Sequence, residues 1–143
     1  MAGTDYSGTP LWKKLGIREG SRVVVSGAPA GFGESLGALP GGASVSHRIS
    51  GQADVIVVFA VQRSKLERRF PAAVRALEHD GGLWTCWPKK ASNVETDLTF
   101  DVVQRLGLDA RLVDNKSASI DDVFQAMRFV HRRKDRPRPA AKR

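Results

Sequence analysis

Six strand-like runs and three stretches of helical spacing divide the chain. Within Arg22-Val23-Val24-Val25-Ser26 the three valines are β-branched without a break, which predicts a strand buried on both faces, as in a parallel sheet. It enters a glycine-rich loop, Gly27-Ala28-Pro29-Ala30-Gly31-Phe32-Gly33, and a short helix is expected over 32–39, ended by Pro40-Gly41-Gly42. A second strand over 43–49 alternates in polarity and suits a sheet edge. The third, over 54–60, is the most apolar run and belongs at the centre.

Ser64 with Glu67 reads as a capping box. The helix after it carries Leu66, Phe70, Val74 and Leu77, and Pro71 is expected to bend or split it. Asp80-Gly81-Gly82 predicts a turn before a fourth strand over 83–87, closed by Pro88-Lys89-Lys90. Thr99 is placed to cap a helix over 100–106 with Gly107 past its end. A fifth strand over 111–116 and a sixth over 123–131 follow with only a short turn between them, which predicts an antiparallel hairpin. Along the sixth, Phe124, Ala126, Arg128 and Val130 share one face, and Gln125, Met127, Phe129 and His131 share the other. The fold class expected is therefore α/β: one Rossmann-like three-layer domain over 21–131, mostly parallel, with a C-terminal antiparallel hairpin. Residues 1–20 form an arm. Its Leu11, Trp12 and Leu15 give it an apolar face that should dock on the domain.

Composition alters this picture little. The 143 residues, 41% hydrophobic and 27% charged, suit one globular domain. No apolar stretch approaches the ~20 residues of a bilayer span. The opening residues show no basic segment followed by an apolar one, so no secretory leader is expected. Cys86 is the single cysteine, which makes the cytoplasm the expected compartment. The net charge of +8 is uneven. After His131 come seven Lys or Arg against the lone acid Asp135, so +6 lies in 132–143 and only +2 in the rest. That basic tail, with Pro137 and Pro139, is expected to be disordered, with weak nucleic-acid contact through Arg132 to Arg143 as one use for it.

The strand and helix order resembles the S-adenosylmethionine-dependent methyltransferase fold, shortened by one strand-helix unit after the second strand. More specifically, Tyr6-Ser7-Gly8-Thr9-Pro10-Leu11-Trp12-Lys13-Lys14-Leu15-Gly16-Ile17, with Gly27-Ala28-Pro29, Gly81-Gly82-Leu83-Trp84, Trp87-Pro88-Lys89-Lys90 and Arg128-Phe129-Val130, resembles a small bacterial family of unknown function, frequent in actinobacteria. Such proteins often carry a Trp just after the final turn, where this chain has Val123-Phe124. The methyltransferase resemblance implies that the first glycine loop wraps a cofactor and that an acid ending the second strand holds its ribose. Here that strand ends His47-Arg48-Ile49-Ser50, and an arginine cannot accept a ribose hydrogen bond. Pro29 also removes one amide donor.

The candidate ligand-binding residues are Gly27, Ala28, Gly31, Phe32, Arg48, Trp87, Lys89 and Lys90. All are expected at the carboxyl edge of the sheet, where open α/β sheets bind ligands. The two lysines, with Arg48 or Arg63 nearby, suit a phosphate or carboxylate, and Trp87 a planar group. Against this stands the plainer reading of Trp84 and Trp87 as packing residues with solvated lysines. Asp97 and Asp101 read as helix-start carboxylates, Cys86 as a buried thiol, and His47, His79 and His131 have no metal-ligand spacing. No catalytic residue, metal or cofactor is expected, and S-adenosylmethionine is not expected to bind. The leading functional reading is a non-catalytic binding or regulatory module with a cleft for an anionic small molecule or a protein partner. The alternatives are a small methyltransferase or other transferase using a nucleotide-like cofactor, and a nucleic-acid-associated protein acting through its tail.

Overall fold

A computed structural model describes residues 9–136. The sheet has six strands: β1 (Arg22–Ser26), β2 (Ser44–Ser46), β3 (Ala53–Phe59), β4 (Leu77–Pro88), β5 (Leu112–Ser119) and β6 (Phe124–His131). Their spatial order is β2-β1-β3-β4-β6-β5. The first four are parallel, with Val23 beside Val45, Val24 beside Ile56 and Val57 beside Trp84. β6 runs antiparallel to both β4 and β5, pairing Cys86 with Ala126 and Lys116 with Arg128. The α/β class, the edge position of the second strand, the central third strand and the closing hairpin are all as the residue pattern predicts.

Among the described residues four α-helices accompany the sheet: α1 (Leu11–Lys14), α2 (Phe32–Leu36), α3 (Arg63–Ala76) and α4 (Phe100–Asp109). α3 and α4 cover one face. There Leu66, Phe70, Ala73 and Val103 pack on Ile56, Val58, Leu83, Met127 and Phe129. Burial of each large apolar side chain contributes about 1.5–3 kcal/mol. The other face carries Val23, Val25, Val55, Val57, Trp84 and Cys86. It is covered by Leu15, Ile17, Phe32 and Leu36, from two helices of four and five residues and the chain beside them. The arm does dock: Leu15 and Ile17 are buried, and the indole Nε1 of Trp84 donates to the Leu15 carbonyl at 3.0 Å. Tyr6 to Gly8 lie outside the described residues, as does 137–143 of the expected tail. Residues 132–136 contain one short turn with an Arg132–Asp135 ion pair of 2.9 Å.

Several local expectations are corrected. The capping box does not form. α3 begins after Gln62, the Arg63 amide donates to the Asp97 carboxylate at 2.7 Å, and Glu67 pairs with the Arg63 side chain instead. A carboxylate 34 residues along the chain does the capping, which local pattern cannot show. Pro71 does not split α3. Asp80-Gly81-Gly82 is not a turn but part of β4, which leaves α3 directly and shifts register between the Ala53–Leu77 and Val55–Gly82 pairs. The glycines are needed there for closeness: a Cβ on Gly81 would lie 2.5 Å from the Asp54 carbonyl, and one on Gly82 would overlap the Arg128 guanidinium. Gly107 lies inside α4, where its missing side chain makes room for the Phe129 ring. Thr99 caps α4 as expected, accepting from the Val102 amide at 3.2 Å. The helix expected over 32–39 and the strand expected over 43–49 are both shorter than their patterns suggest, ending at Leu36 and Ser46.

Candidate functional site at the carboxyl edge

β1 ends in Gly27, whose φ of +73° is open to glycine at little cost. The turn is also tight. A Cβ at Gly27 would stand 2.8 Å from the Phe59 carbonyl and 2.5 Å from Arg69 Nη1. The β3 terminus and α3 therefore press on the loop from one side, and Arg69 holds the contact by donating to the Phe59 carbonyl at 2.7 Å. On the other side Gly31 and Gly33 have nothing among the described residues within 4 Å of where a Cβ would sit, so the loop backbone is open to an approaching molecule.

Two clefts meet at Gly27. One, of about 300 Å³, runs under the loop and is lined by Ala28, Gly31, Phe32, Val45 and His47. The other, of about 220 Å³, lies over the end of β3 and is lined by Phe59, Gln62, Lys65, Arg69 and Phe124. Three rings form their floor in series: Phe32 and Phe59 with centroids 4.9 Å apart, then Phe59 and Phe124 at 5.0 Å, both edge to face. Such pairs add about 0.5–1.5 kcal/mol beyond burial and hold the floor rigid. Phe124 thus takes a structural aromatic role at the position where the resembling proteins often carry Trp.

The expected ligand residues do not all converge. Gly27, Ala28, Gly31 and Phe32 share the loop cleft. Trp87 and Lys90 line a separate cleft of about 590 Å³ with Thr96, Phe100, Asp101 and Gln125, and Trp87 itself is only 3% exposed. Lys89 lines none of these clefts, and its Nζ donates to Ser119 Oγ at 2.7 Å. Arg48 also lines none of them. It follows β2 in a turn in which Ser46 Oγ donates to its carbonyl and accepts from its amide. The β2 strand stops early, and that turn sends its neighbour His47 into the cleft instead.

Pattern reading missed His47, Lys65 and Arg69. The last two were recoverable in part: they stand four apart on the helix that follows the central strand, and so lie on one side of it. Neither cleft is lined by a carboxylate among the described residues, so the pair gives the site a positive character. The loop after β4 is tied to the loop after β3 by Thr96 Oγ1, which donates to the Val61 carbonyl at 2.5 Å and accepts from the Leu98 amide. Cys86 is a buried thiol whose pKa is pushed well above 9.0 by desolvation, with the Asp121 charge adding to it, so it is a poor nucleophile. Among the described residues no group of three or more His, Cys, Asp or Glu could hold a metal ion. No described helix is long and apolar enough to cross a membrane.

No family model and no curated relative matches the chain. Solved structures do. A TehB-like S-adenosylmethionine-dependent methyltransferase from Corynebacterium glutamicum shares 15% identity over 92% of this chain and 91% of its own, with a TM-score of 0.56. The N-methyltransferase NodS from Bradyrhizobium japonicum shares 16% over 76% and 84%, at 0.54. Magnesium protoporphyrin IX methyltransferase from Synechocystis, with bound S-adenosylmethionine, shares 11% over 80% and 71%, at 0.57. These neighbours overturn the leading expectation of a non-catalytic binding module and favour its methyltransferase alternative. At such low identity it is the architecture that is shared, and the chain has the Rossmann-like fold of the S-adenosylmethionine-dependent methyltransferases.

Proposed function

We propose that this chain is a small transferase of methyltransferase type. Its nucleotide-like cofactor would lie along the Gly27–Gly33 loop and across the ends of β1 and β3. The observation that carries the reading is the pair of clefts joined at a left-handed glycine, at the sheet edge where open parallel sheets bind ligands. The similar Synechocystis enzyme, whose structures hold S-adenosylmethionine or S-adenosylhomocysteine, supports a cofactor of that class.

The residues present fit such a group in shape and in part of its chemistry. The open faces of Gly31 and Gly33 admit close approach to the backbone. Lys65 and Arg69 suit a carboxylate or a phosphate, and His47 offers one donor and one acceptor where a ribose acid would stand. S-adenosylmethionine bound there would supply an electrophilic methyl group. The chain would orient it on the rigid Phe32–Phe59–Phe124 floor and shield it from water, catalysing by positioning. Because two cations and, among the described residues, no carboxylate line the clefts, a phosphate-bearing nucleotide is the second cofactor class the site favours. A free, buried Cys86 is in keeping with work in the cytoplasm.

Calorimetry and thermal shift with S-adenosylhomocysteine and with adenine nucleotides test the proposal. A ligand at a hundredfold excess over Kd adds about 2.7 kcal/mol to apparent stability. Gly33→Leu fills the open cleft without placing a side chain in a positive-φ conformation, and should abolish that shift while leaving the unliganded melting temperature nearly unchanged. No binding of either ligand class at millimolar concentration would sink the proposal.

A further inference from the structure

The chain's positive charge is small in sum outside the last twelve residues, yet it is not evenly spread. A groove of about 600 Å³ on the thinly covered face is lined by Lys13, Lys14, Arg18, Lys116 and Arg128, against the single acid Glu19. These cations come from α1, the loop before β1, and β5 and β6, so the tertiary fold gathers them from distant parts of the sequence. The half-buried Trp12 lines the same groove.

The cluster is held together at a cost. Lys116 stands directly opposite Arg128 on the hairpin, and like charges at directly opposed positions destabilise a sheet. Among the described residues none of the five cations makes an ion pair. Arg128 is half-buried over Gly82, and it donates one long hydrogen bond of 3.4 Å to Asn115 Oδ1. Burial, together with Arg136 and Arg18 nearby, weakens its hold on its proton. A neighbouring cleft of about 340 Å³, which Arg18 and Arg128 also line, carries Asp54 and Asp80. Asp54 already accepts from the Arg22 amide at 2.8 Å.

From this we infer that the groove binds the phosphodiester backbone of a nucleic acid. The cations would contact successive phosphates, and Trp12 would offer a ring to an unstacked base. An open groove with several cations and an aromatic on its wall has the chemistry of single-strand binding surfaces. The site is toward the amino ends of β1, β3 and β4, away from the glycine-loop clefts, and is independent of the transferase reading. It also differs from binding through the basic terminus, because its residues belong to the folded body.

The test is fluorescence anisotropy with a labelled single-stranded DNA and an RNA of about 20 nucleotides, between about 50 and 200 mM salt. The full chain is compared with a chain ending at Arg136 and with the triple variant Lys13→Glu, Arg18→Glu, Lys116→Glu. All three substituted positions are exposed, so folding should persist, as circular dichroism would verify. The expected result is that the chain ending at Arg136 still binds. The triple variant should lose affinity at least ~10-fold, with a salt slope shallower by about 2, since each lost phosphate contact on a single strand changes it by ~0.7. Arg18→Glu alone, in case the triple variant misfolds, should lower the slope by ~0.7. The inference is overturned by any of three results: the triple variant binds with unchanged slope, removal of 137–143 abolishes binding, or phosphatidylserine vesicles retain the chain while neither oligonucleotide binds.

Discussion

The two faces of the sheet are built from similar apolar strands and covered in opposite ways. One face meets α3 and α4, of fourteen and ten residues, whose side chains close over Leu83, Met127 and Phe129. The other meets helices of four and five residues and an arm held by the Trp84 indole and by the Gly20 amide on the Gly41 carbonyl. The loop cleft with His47 and the cationic groove both open on this second side. A long amphipathic helix seals a strand surface, whereas short helices leave gaps, and gaps are where ligands reach a sheet. The well-packed face is sealed, and the thinly covered one keeps the openings in which the proposed ligands would sit.

Substitutions can break or sharpen that contrast. The largest effect is expected from Phe70→Ala, which removes a buried ring packed edge to face on Phe129 at 6.1 Å and should cost about 3–5 kcal/mol by chemical denaturation. On the same face Gly107→Ala should destabilise by about 1–3 kcal/mol despite alanine's better helix propensity, because its methyl overlaps the Phe129 ring. A neutral or stabilising outcome would show that the sealed face has slack. On the other face, Trp84→Phe removes the hydrogen bond to Leu15 and should cost about 1–2 kcal/mol, with faster amide exchange along the arm. A loss as large as that of Phe70→Ala would mean that the arm is as integral to the fold as α3, and the contrast would fail.

Two smaller effects sit inside the sheet. The buried Cys86 keeps its proton in the folded chain, while the unfolded thiol ionises near the ordinary 9.0. Above that pH unfolding releases a proton, so stability falls as pH rises, by up to about 1.4 kcal/mol per unit from this group. The difference in unfolding free energy between the native chain and Cys86→Ala should therefore shrink between about pH 9 and 10.5. A difference that stays constant would mean the thiol is not held protonated. Thr85 is fully buried and its hydroxyl has no hydrogen-bond partner among the described residues, so Thr85→Val should stabilise by about 1 kcal/mol, read as a higher melting temperature.

Periodicity alone carried the architecture. Val23 to Val25 and Val55 to Phe59 are apolar on both faces, which only a strand covered on both sides tolerates, and the alternation along β6 put Phe124 and Ala126 in one core cluster and Met127 and Phe129 in the other. What failed were inferences that treated short-range signals as self-sufficient. Ser64 has the residue type of a cap, but Asp97 arrived from another loop and took that role. Asp80-Gly81-Gly82 has turn composition, but its glycines serve the close approach of Asp54 and Arg128. The carboxyl edge was legible as a place, and Gly27 as its hinge. Its occupants were not: a short turn after β2 put His47 rather than Arg48 in the cleft, and α3 brought in Lys65 and Arg69 while Lys89 turned to Ser119. The sequence by itself determined which segments become strands, and that most of them run parallel, because burial on two faces leaves a repeating imprint along the chain. Only the tertiary structure decided which charges stand together, because a charge at a surface position obeys no period and its neighbours are chosen by the packing of segments far apart in sequence.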